Sequence, residues 1–230
     1  MSATALSPLH YRLQPLDAEF ARQDRWQVAE RFPEAGQDAA SRGVAIADES
    51  ANGKLQVQGE DAEGLVGAAF SAPPLAVGKS ATVETPGPGR VCRLRRDLFF
   101  ISTAPAEAAA ALDRLRREPG ASENAGAAAT DLTHGRSELR LVGPAAPELL
   151  SKVCGLDFDP RRFLDGDARQ SSVAKTRQLI VRGDLGGLPS YSLIGGRSLG
   201  AYLWDTLMQA GAEFAVAPLG LRDLRALSPL

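Results

Sequence analysis

Lys54-Leu55-Gln56-Val57-Gln58-Gly59 alternates polar and apolar residues and ends on a glycine, after which Leu65, Val66, Ala69 and Phe70 follow at helical spacing. Leu139, Leu141, Gly143, Leu149, Leu150, Val153 and Cys154 repeat this pattern, each displaced by 84 positions (143 − 59 = 84). Period-two alternation marks a half-buried strand, and apolar residues at i, i+1, i+4 and i+5 mark one face of a helix. A displacement that stays constant across a strand, a glycine and a helix face predicts a duplicated α+β unit.

Each copy continues in the same way. After the first, Arg90–Leu94 and Leu98–Ser102 read as paired strands, and Ala106–Arg117 is rich in strong helix formers. After the second, Thr176–Arg182 and Pro189–Ile194 read as the pair, joined by the turn Gly183-Asp184-Leu185-Gly186-Gly187. A helix over Arg197–Gly211 closes the unit, with Leu199, Leu203 and Leu207 as its core stripe, Trp204 and Met208 beside it, Ser198 as a cap and Gly211 as the stop. The expected fold class is α+β: tandem β-α-β-β-α units whose antiparallel sheets carry helices on one side.

The organisation follows from composition shifts. Residues 1–43, with Phe20, Trp26 and Phe32 but weak periodicity, read as an N-terminal extension that wraps against the body or a partner. Residues 44–122 form the first α+β half and 123–230 the second, with a linker over Glu118–Thr130 and a turn at Thr85–Gly89.

With 230 residues, 44% of them hydrophobic, the chain can bury a substantial core. A net charge of −2 supplies no electrostatic footprint for nucleic acid or an anionic membrane. No run approaches the roughly 18 apolar residues of a membrane span, and Met1–Gln14 lacks the pattern of a signal peptide, so the expected location is cytoplasmic. Cys92 and Cys154 lie in apolar surroundings, which favours buried thiols over a disulfide.

The usual catalytic signatures are missing: there is no CxxC, HExxH, GxSxG or P-loop, and two histidines, His10 and His134, cannot build a histidine-rich metal site. The glycines of 183–187 join two strands instead of opening a helix, the geometry of a hairpin turn and not of a phosphate cradle. Asp131-Leu132-Thr133-His134 compresses an acid, a hydroxyl and an imidazole just before a strand. These groups could orient a bound amine or pterin edge, with His134 suited to proton transfer; alternatively, Asp131 and Thr133 cap their own backbone at the end of a linker. Arg177, in the strand-like run Ser172-Val173-Ala174-Lys175-Thr176-Arg177, could meet a carboxylate on a ligand or a neighbouring subunit, or could sit on a solvated strand face. Arg93, Arg95 and Arg96, and likewise Arg114, Arg116 and Arg117, read as solvated faces or inter-subunit contacts, offset by Asp97 and Glu118.

These motifs carry a resemblance. Asp131–His134, Leu141-Val142-Gly143-Pro144 before a helix, Ser172–Arg177, Gly196-Arg197-Ser198-Leu199 entering the Trp204 helix, and Gly220-Leu221-Arg222-Asp223-Leu224-Arg225 together resemble the tetrahydrofolate-dependent aminomethyltransferase family, which includes the glycine-cleavage T-protein and the gamma subunit of heterotetrameric sarcosine oxidase. The likeness spans roughly residues 44–227 and implies a fold like the folate-binding domain of these proteins. The transferases carry an aspartate pair on the strand that here reads Arg90-Val91-Cys92-Arg93-Leu94, and neither acid is present. The family's TGExG turn falls near 183–189, which holds Asp184 but no glutamate; Asp184 and, on the next strand, Tyr191 complete the candidate ligand-binding set with Asp131, Thr133, His134 and Arg177. The chain also stops where a transferase continues into a C-terminal barrel.

Tetrahydrofolate is the cofactor this resemblance implies, yet a pterin needs paired acceptors for its donors, and most are missing. Compactness and the 173–177 strand look more like the sarcosine oxidase gamma subunit. That implies a non-catalytic chain whose partners are alpha- and beta-like subunits of a heteromeric amine oxidase, with flavin only in those partners. The alternatives are a free-standing tetrahydrofolate-dependent aminomethyltransferase or demethylase, and a folate-binding assembly or regulatory protein.

Overall fold

A computed structural model describes residues 4–33, 36–84, 87–118 and 126–227. The N-terminal region gives β1 (Ala5–Leu6), α1 (His10–Leu13), β2 (Glu19–Gln23), β3 (Trp26–Arg31), α2 (Gly36–Arg42) and β4 (Ala45–Asp48). The first repeat follows as β5 (Gly53–Gly59), α3 (Ala62–Phe70), β6 (Lys79–Val83), β7 (Gly89–Arg95), β8 (Leu98–Thr103), α4 (Ala108–Arg117) and β9 (Ala127–Asp131). The second is β10 (Arg136–Val142), α5 (Ala146–Val153), β11 (Ala168–Val173), β12 (Thr176–Arg182), β13 (Ser190–Gly196), α6 (Gly200–Ala210), β14 (Ala217–Pro218) and α7 (Leu221–Ala226). The fold is the expected α+β.

The chain forms two compact units: one of Met1–Ser50, Arg136–Asp165 and Gln170–Leu230, the other of Ala51–Gly135 and Gly166–Arg169. In the second the sheet runs β6-β7-β8-β5-β9, and in the first β11-β12-β13-β10-β4-β14. The two orders correspond strand for strand over five positions. The fifth is filled by exchange in sequence: β4, the strand before β5, pairs antiparallel with β10, while β9, the strand before β10, pairs antiparallel with β5. The first unit therefore draws strands from both sides of the expected divisions at 44 and 123, and the second from both sides of the one at 123; residue 123 itself lies outside the described residues, as do 119–125 of the linker and Thr85 and Pro86 of the turn.

The 84-residue displacement is a packing equivalence. Leu55 and Val57 on β5, Leu65 and Val66 on α3, and their counterparts Leu139, Leu141, Leu149 and Leu150 are all buried, each set in the core of its own unit. Connections differ in length between the copies, among them the two-residue β7–β8 connection at 96–97 and its seven-residue counterpart 183–189, and the displacement reaches 92 at the last helix of each repeat: Ala111, Leu112 and Leu115 of α4 match the buried Leu203, Trp204 and Leu207 of α6. Truncating such a leucine to alanine typically costs about 2–5 kcal/mol.

Three local expectations change. Leu199 is 42% exposed, because Arg197–Leu199 is a 3₁₀ turn whose phase differs from that of α6. Ser198 makes no side-chain cap; Leu199 occupies the N-cap of α6. The run Ser172–Arg177 is a hairpin, broken at Ala174 and Lys175, both with positive φ (48° and 62°). Cys92 and Cys154 are buried and not joined in a disulfide. The N-terminal region adds a three-stranded sheet in the order β1-β3-β2, and Leu9, Leu13, Ala29 and Phe32 join the core of the first unit.

Candidate functional site

Asp131 ends β9 and Thr133 opens a 3₁₀ turn. Asp131 Oδ1 accepts the Thr133 N–H at 2.8 Å, the Thr133 hydroxyl oxygen accepts the Lys54 N–H at 3.0 Å, and the Leu132 N–H donates to the Lys54 carbonyl at 2.8 Å. The other unit contains the same turn. Asp48 Oδ1 accepts the Ser50 N–H at 3.0 Å, the Ser50 hydroxyl oxygen accepts the Glu138 N–H at 3.1 Å, and the Glu49 N–H donates to the Glu138 carbonyl at 2.9 Å. Asp131 and Thr133 thus build a clasp from β9 to β5 whose twin joins β4 to β10. Glycine and alanine at the ends of strands cannot supply such a clasp; a short acceptor side chain two residues before a donor N–H can. His134 is exposed and matches Ala51, so it has no counterpart.

Asp184 and Tyr191 meet in the first unit around Arg182, which the sequence does not single out. The Arg182 guanidinium donates through Nε to Asp184 Oδ1 and through Nη2 to Asp184 Oδ2, both at 2.9 Å, and through Nη1 to the Phe163 carbonyl. It lies 5.8 Å from the centroid of Tyr191, its cross-strand partner. The hydrogen bonds that Arg182 donates to Asp184 raise the Arg182 pKa above its ordinary value. Burial raises the Tyr191 pKa, with Arg182 opposing the shift. Phe158 and Phe163 pack edge-on against the Tyr191 ring, whose hydroxyl has no hydrogen-bond partner among the described residues.

This arrangement is repeated as well. In the second unit Arg93 stands opposite Phe99 across β7 and β8, 5.4 Å from its centroid, pairs with Glu63 at 2.8 Å and donates to the Leu75 carbonyl at 2.8 Å. Arg93 and Arg182 correspond by a displacement of 89 (182 − 93 = 89). In both copies a guanidinium covers the inner aromatic of the neighbouring strand and ties down the loop after the first helix. The signal in the sequence was an arginine near the end of each second strand, legible only once the register is known.

Of the candidates, then, Asp131 and Thr133 come together in one unit and Asp184 and Tyr191 in the other, each set through hydrogen bonds or ring contacts to protein groups. Arg177 stands apart, exposed on β12. Lys54 and Glu138, 0% and 1% exposed, are buried ionisable residues that period-two alternation could not reveal. Among the described residues no group of three or more His, Cys, Asp or Glu side chains could hold a metal ion, and no helix is long and apolar enough to cross a membrane. At the candidate positions the acceptors a pterin needs are replaced or engaged: β7 carries arginines and no carboxylate, Asp184 is held by Arg182 at both oxygens, and Asp131 Oδ1 accepts from Thr133.

The profile of the GCVT N-terminal domain matches residues 9–228. The chain belongs to the GCVT N-terminal domain family. Among curated relatives of this GCVT-domain chain, the sarcosine oxidase subunit gamma of Corynebacterium sp. (strain P-1) is 35% identical over 123 residues, 52% of this chain and 56% of that protein. The sarcosine oxidase subunit alpha of the same strain is 24% identical over 251 aligned positions, covering 96% of this chain and 25% of that one. The GCVT-domain chain thus spans about half or less of the length of these relatives. Among solved structures, heterotetrameric sarcosine oxidase from Corynebacterium sp. U-96 in complex with pyrrole 2-carboxylate contains a chain of similar fold, with a TM-score of 0.66 and 25% identity over 92% of this chain and 96% of that one. The glycine cleavage system aminomethyltransferase T from Bartonella henselae superposes with a TM-score of 0.82 at 18% identity, covering 98% of this chain and 62% of that one, a likeness of fold.

Proposed function

We propose that this GCVT-domain chain is a gamma-type, non-catalytic subunit of a heteromeric enzyme that oxidises sarcosine or a related secondary amine. The observation that carries the reading is the 35% identical stretch shared with a sarcosine oxidase gamma subunit, supported by the fit to nearly the whole length of one chain of a heterotetrameric sarcosine oxidase. Alpha- and beta-type chains are its partners in this reading, and they carry the flavin. Tetrahydrofolate takes no part at this chain in this reading, since β7 holds arginines where the transferases carry acids, and Asp131 and Asp184 serve the protein's own donors. The buried Cys92 and Cys154, not joined in a disulfide, agree with a cytoplasmic complex.

The test is co-expression of the chain with the alpha- and beta-type products of its genomic neighbours. A complex of fixed stoichiometry that oxidises sarcosine, and that falls apart or loses yield without this chain, is the expected result. Purification of the chain alone, with the other chains fully assembled and active in its absence, would overturn the reading. Titration with tetrahydrofolate should give no saturable heat.

A further inference from the structure

Features present in both units hold the common framework, so a binding function belongs among features present in only one. The β11–β12 hairpin carries such a feature. Gln170, Ser171, Ser172, Lys175 and Arg177 line an open cavity of about 400 Å³ on the first unit. That volume is within the range of small-ligand sites, which run from about 300 to 1,000 Å³. The residue of the first repeat matching Arg177 is Pro88 (177 − 88 = 89), so the cation has no twin.

The hairpin positions these groups by its turn. Ala174 and Lys175 both have positive φ, the condition for a two-residue turn that follows the twist of its strands. Val173 and Thr176 then point to the core, where both are buried, and the Thr176 hydroxyl donates to the Val173 carbonyl at 2.8 Å. Ser172 and Arg177 are left on the outer face with Gln170 and Lys175, all four exposed. Neither residue of the turn is glycine, so each holds a conformation that costs an L-residue roughly 1 kcal/mol.

Among the described residues the lining contains two cations, two hydroxyls and an amide, and no carboxylate. Among the described residues the Lys175 and Arg177 side chains form no ion pair and no hydrogen bond, whereas Arg93, Arg140, Arg161 and Arg182 are each paired with an acid. A planar guanidinium with free donors, flanked by an ammonium and hydroxyls, matches a carboxylate, which accepts two parallel N–H bonds. The volume exceeds one carboxylate and accommodates two or three on one molecule or segment. We infer that this cavity binds a polycarboxylate group, with Arg177 as its principal donor and Lys175 and Ser172 beside it. Such a group can come from a free di- or tricarboxylic acid or from an acidic stretch of another protein chain. The inference stands independently of the subunit reading.

The experiment is calorimetric titration of the full chain, at fixed ionic strength, with citrate and separately with an amidated tetrapeptide of alternating Glu and Asp. Arg177→Ala, Lys175→Ala and, as a control for bulk charge, Arg42→Ala on α2 are titrated alongside, each checked for an unchanged melting temperature. Saturable binding weakened at least about tenfold by Arg177→Ala and unchanged by Arg42→Ala is expected. Binding of citrate alone assigns the cavity to free acids, binding of the peptide alone to a protein segment, and binding of both to the shared chemistry. If neither probe binds the wild-type chain, or if Arg177→Ala and Arg42→Ala weaken binding equally, the inference fails.

Discussion

Ser50 and Thr133 hold the same place in two copies of one turn. Each receives an aspartate two residues upstream on its N–H and offers its hydroxyl oxygen to the N–H of a strand residue, Glu138 for Ser50 and Lys54 for Thr133. Both hydroxyl residues are buried, so removing either oxygen strands a backbone donor away from water. Thr133→Val should destabilise the protein by about 1–3 kcal/mol in urea unfolding, and Ser50→Ala by a similar amount, whereas Thr133→Ser should restore most of the loss. A Thr133→Val protein as stable as the wild type would show that the hydroxyl does not hold the turn.

The repeat was legible because its strand, glycine and helix face keep one displacement, and the exchange of β4 and β9 was not. All four residues of β4 are buried, so no alternation marks it. The strand Ala127-Ala128-Ala129-Thr130-Asp131 is rich in alanine, which has little strand preference of its own. Both strands are specified by their partners, and partners three or more elements away leave no trace in a local pattern.

Gly59 and Gly143 follow equivalent strands with φ of 141° and 135°. A Cβ on Gly59 would lie 1.9 Å from the Gly126 carbonyl oxygen, and one on Gly143 would lie 2.4 Å from that of Gly43 and 2.8 Å from that of Ala40. Backbone atoms cannot move aside as a flexible side chain can, and the positive φ adds strain. Alanine at either position should cost about 3 kcal/mol or more, read as a lower melting temperature and lower yield of folded protein. Gly64→Ala on α3, where a Cβ meets nothing within 4 Å, should be neutral or stabilising in the same assay.

Site residues were legible as polar clusters, but their roles were not, because a clasp and a ligand contact use the same side chains. Asp184 shows the difference. With Arg182 largely buried and held at both oxygens of Asp184, Asp184→Ala leaves a guanidinium without its counter-charge. The expected loss is about 3 kcal/mol, and Arg182→Ala should lose a similar amount. Since each single change removes the same pair, the double variant should cost less than the sum, with a coupling of about 1–3 kcal/mol in a double-mutant cycle. Strict additivity would place the two residues in separate roles.

Tyr191 is fully buried, and its hydroxyl meets no hydrogen-bond partner among the described residues, so Tyr191→Phe removes a desolvated polar group while keeping the ring against Phe158, Phe163 and Arg182. At neutral pH the variant should be as stable as the wild type or more stable by about 1 kcal/mol. The phenol's pKa is raised in the folded chain by burial, so the folded state keeps a proton that the unfolded state gives up as pH passes the ordinary value of 10.0. The stability associated with the neutral phenol is therefore fully present below that value and declines as pH rises toward the folded-state pKa. Wild-type stability should fall more steeply above about pH 10 than that of Tyr191→Phe, and the wild type should show a late tyrosinate absorbance step, beyond that of the exposed Tyr11 and Tyr202 which both proteins share, that the variant lacks. Parallel pH profiles for the two proteins would mean that the Tyr191 hydroxyl reaches water in the folded chain.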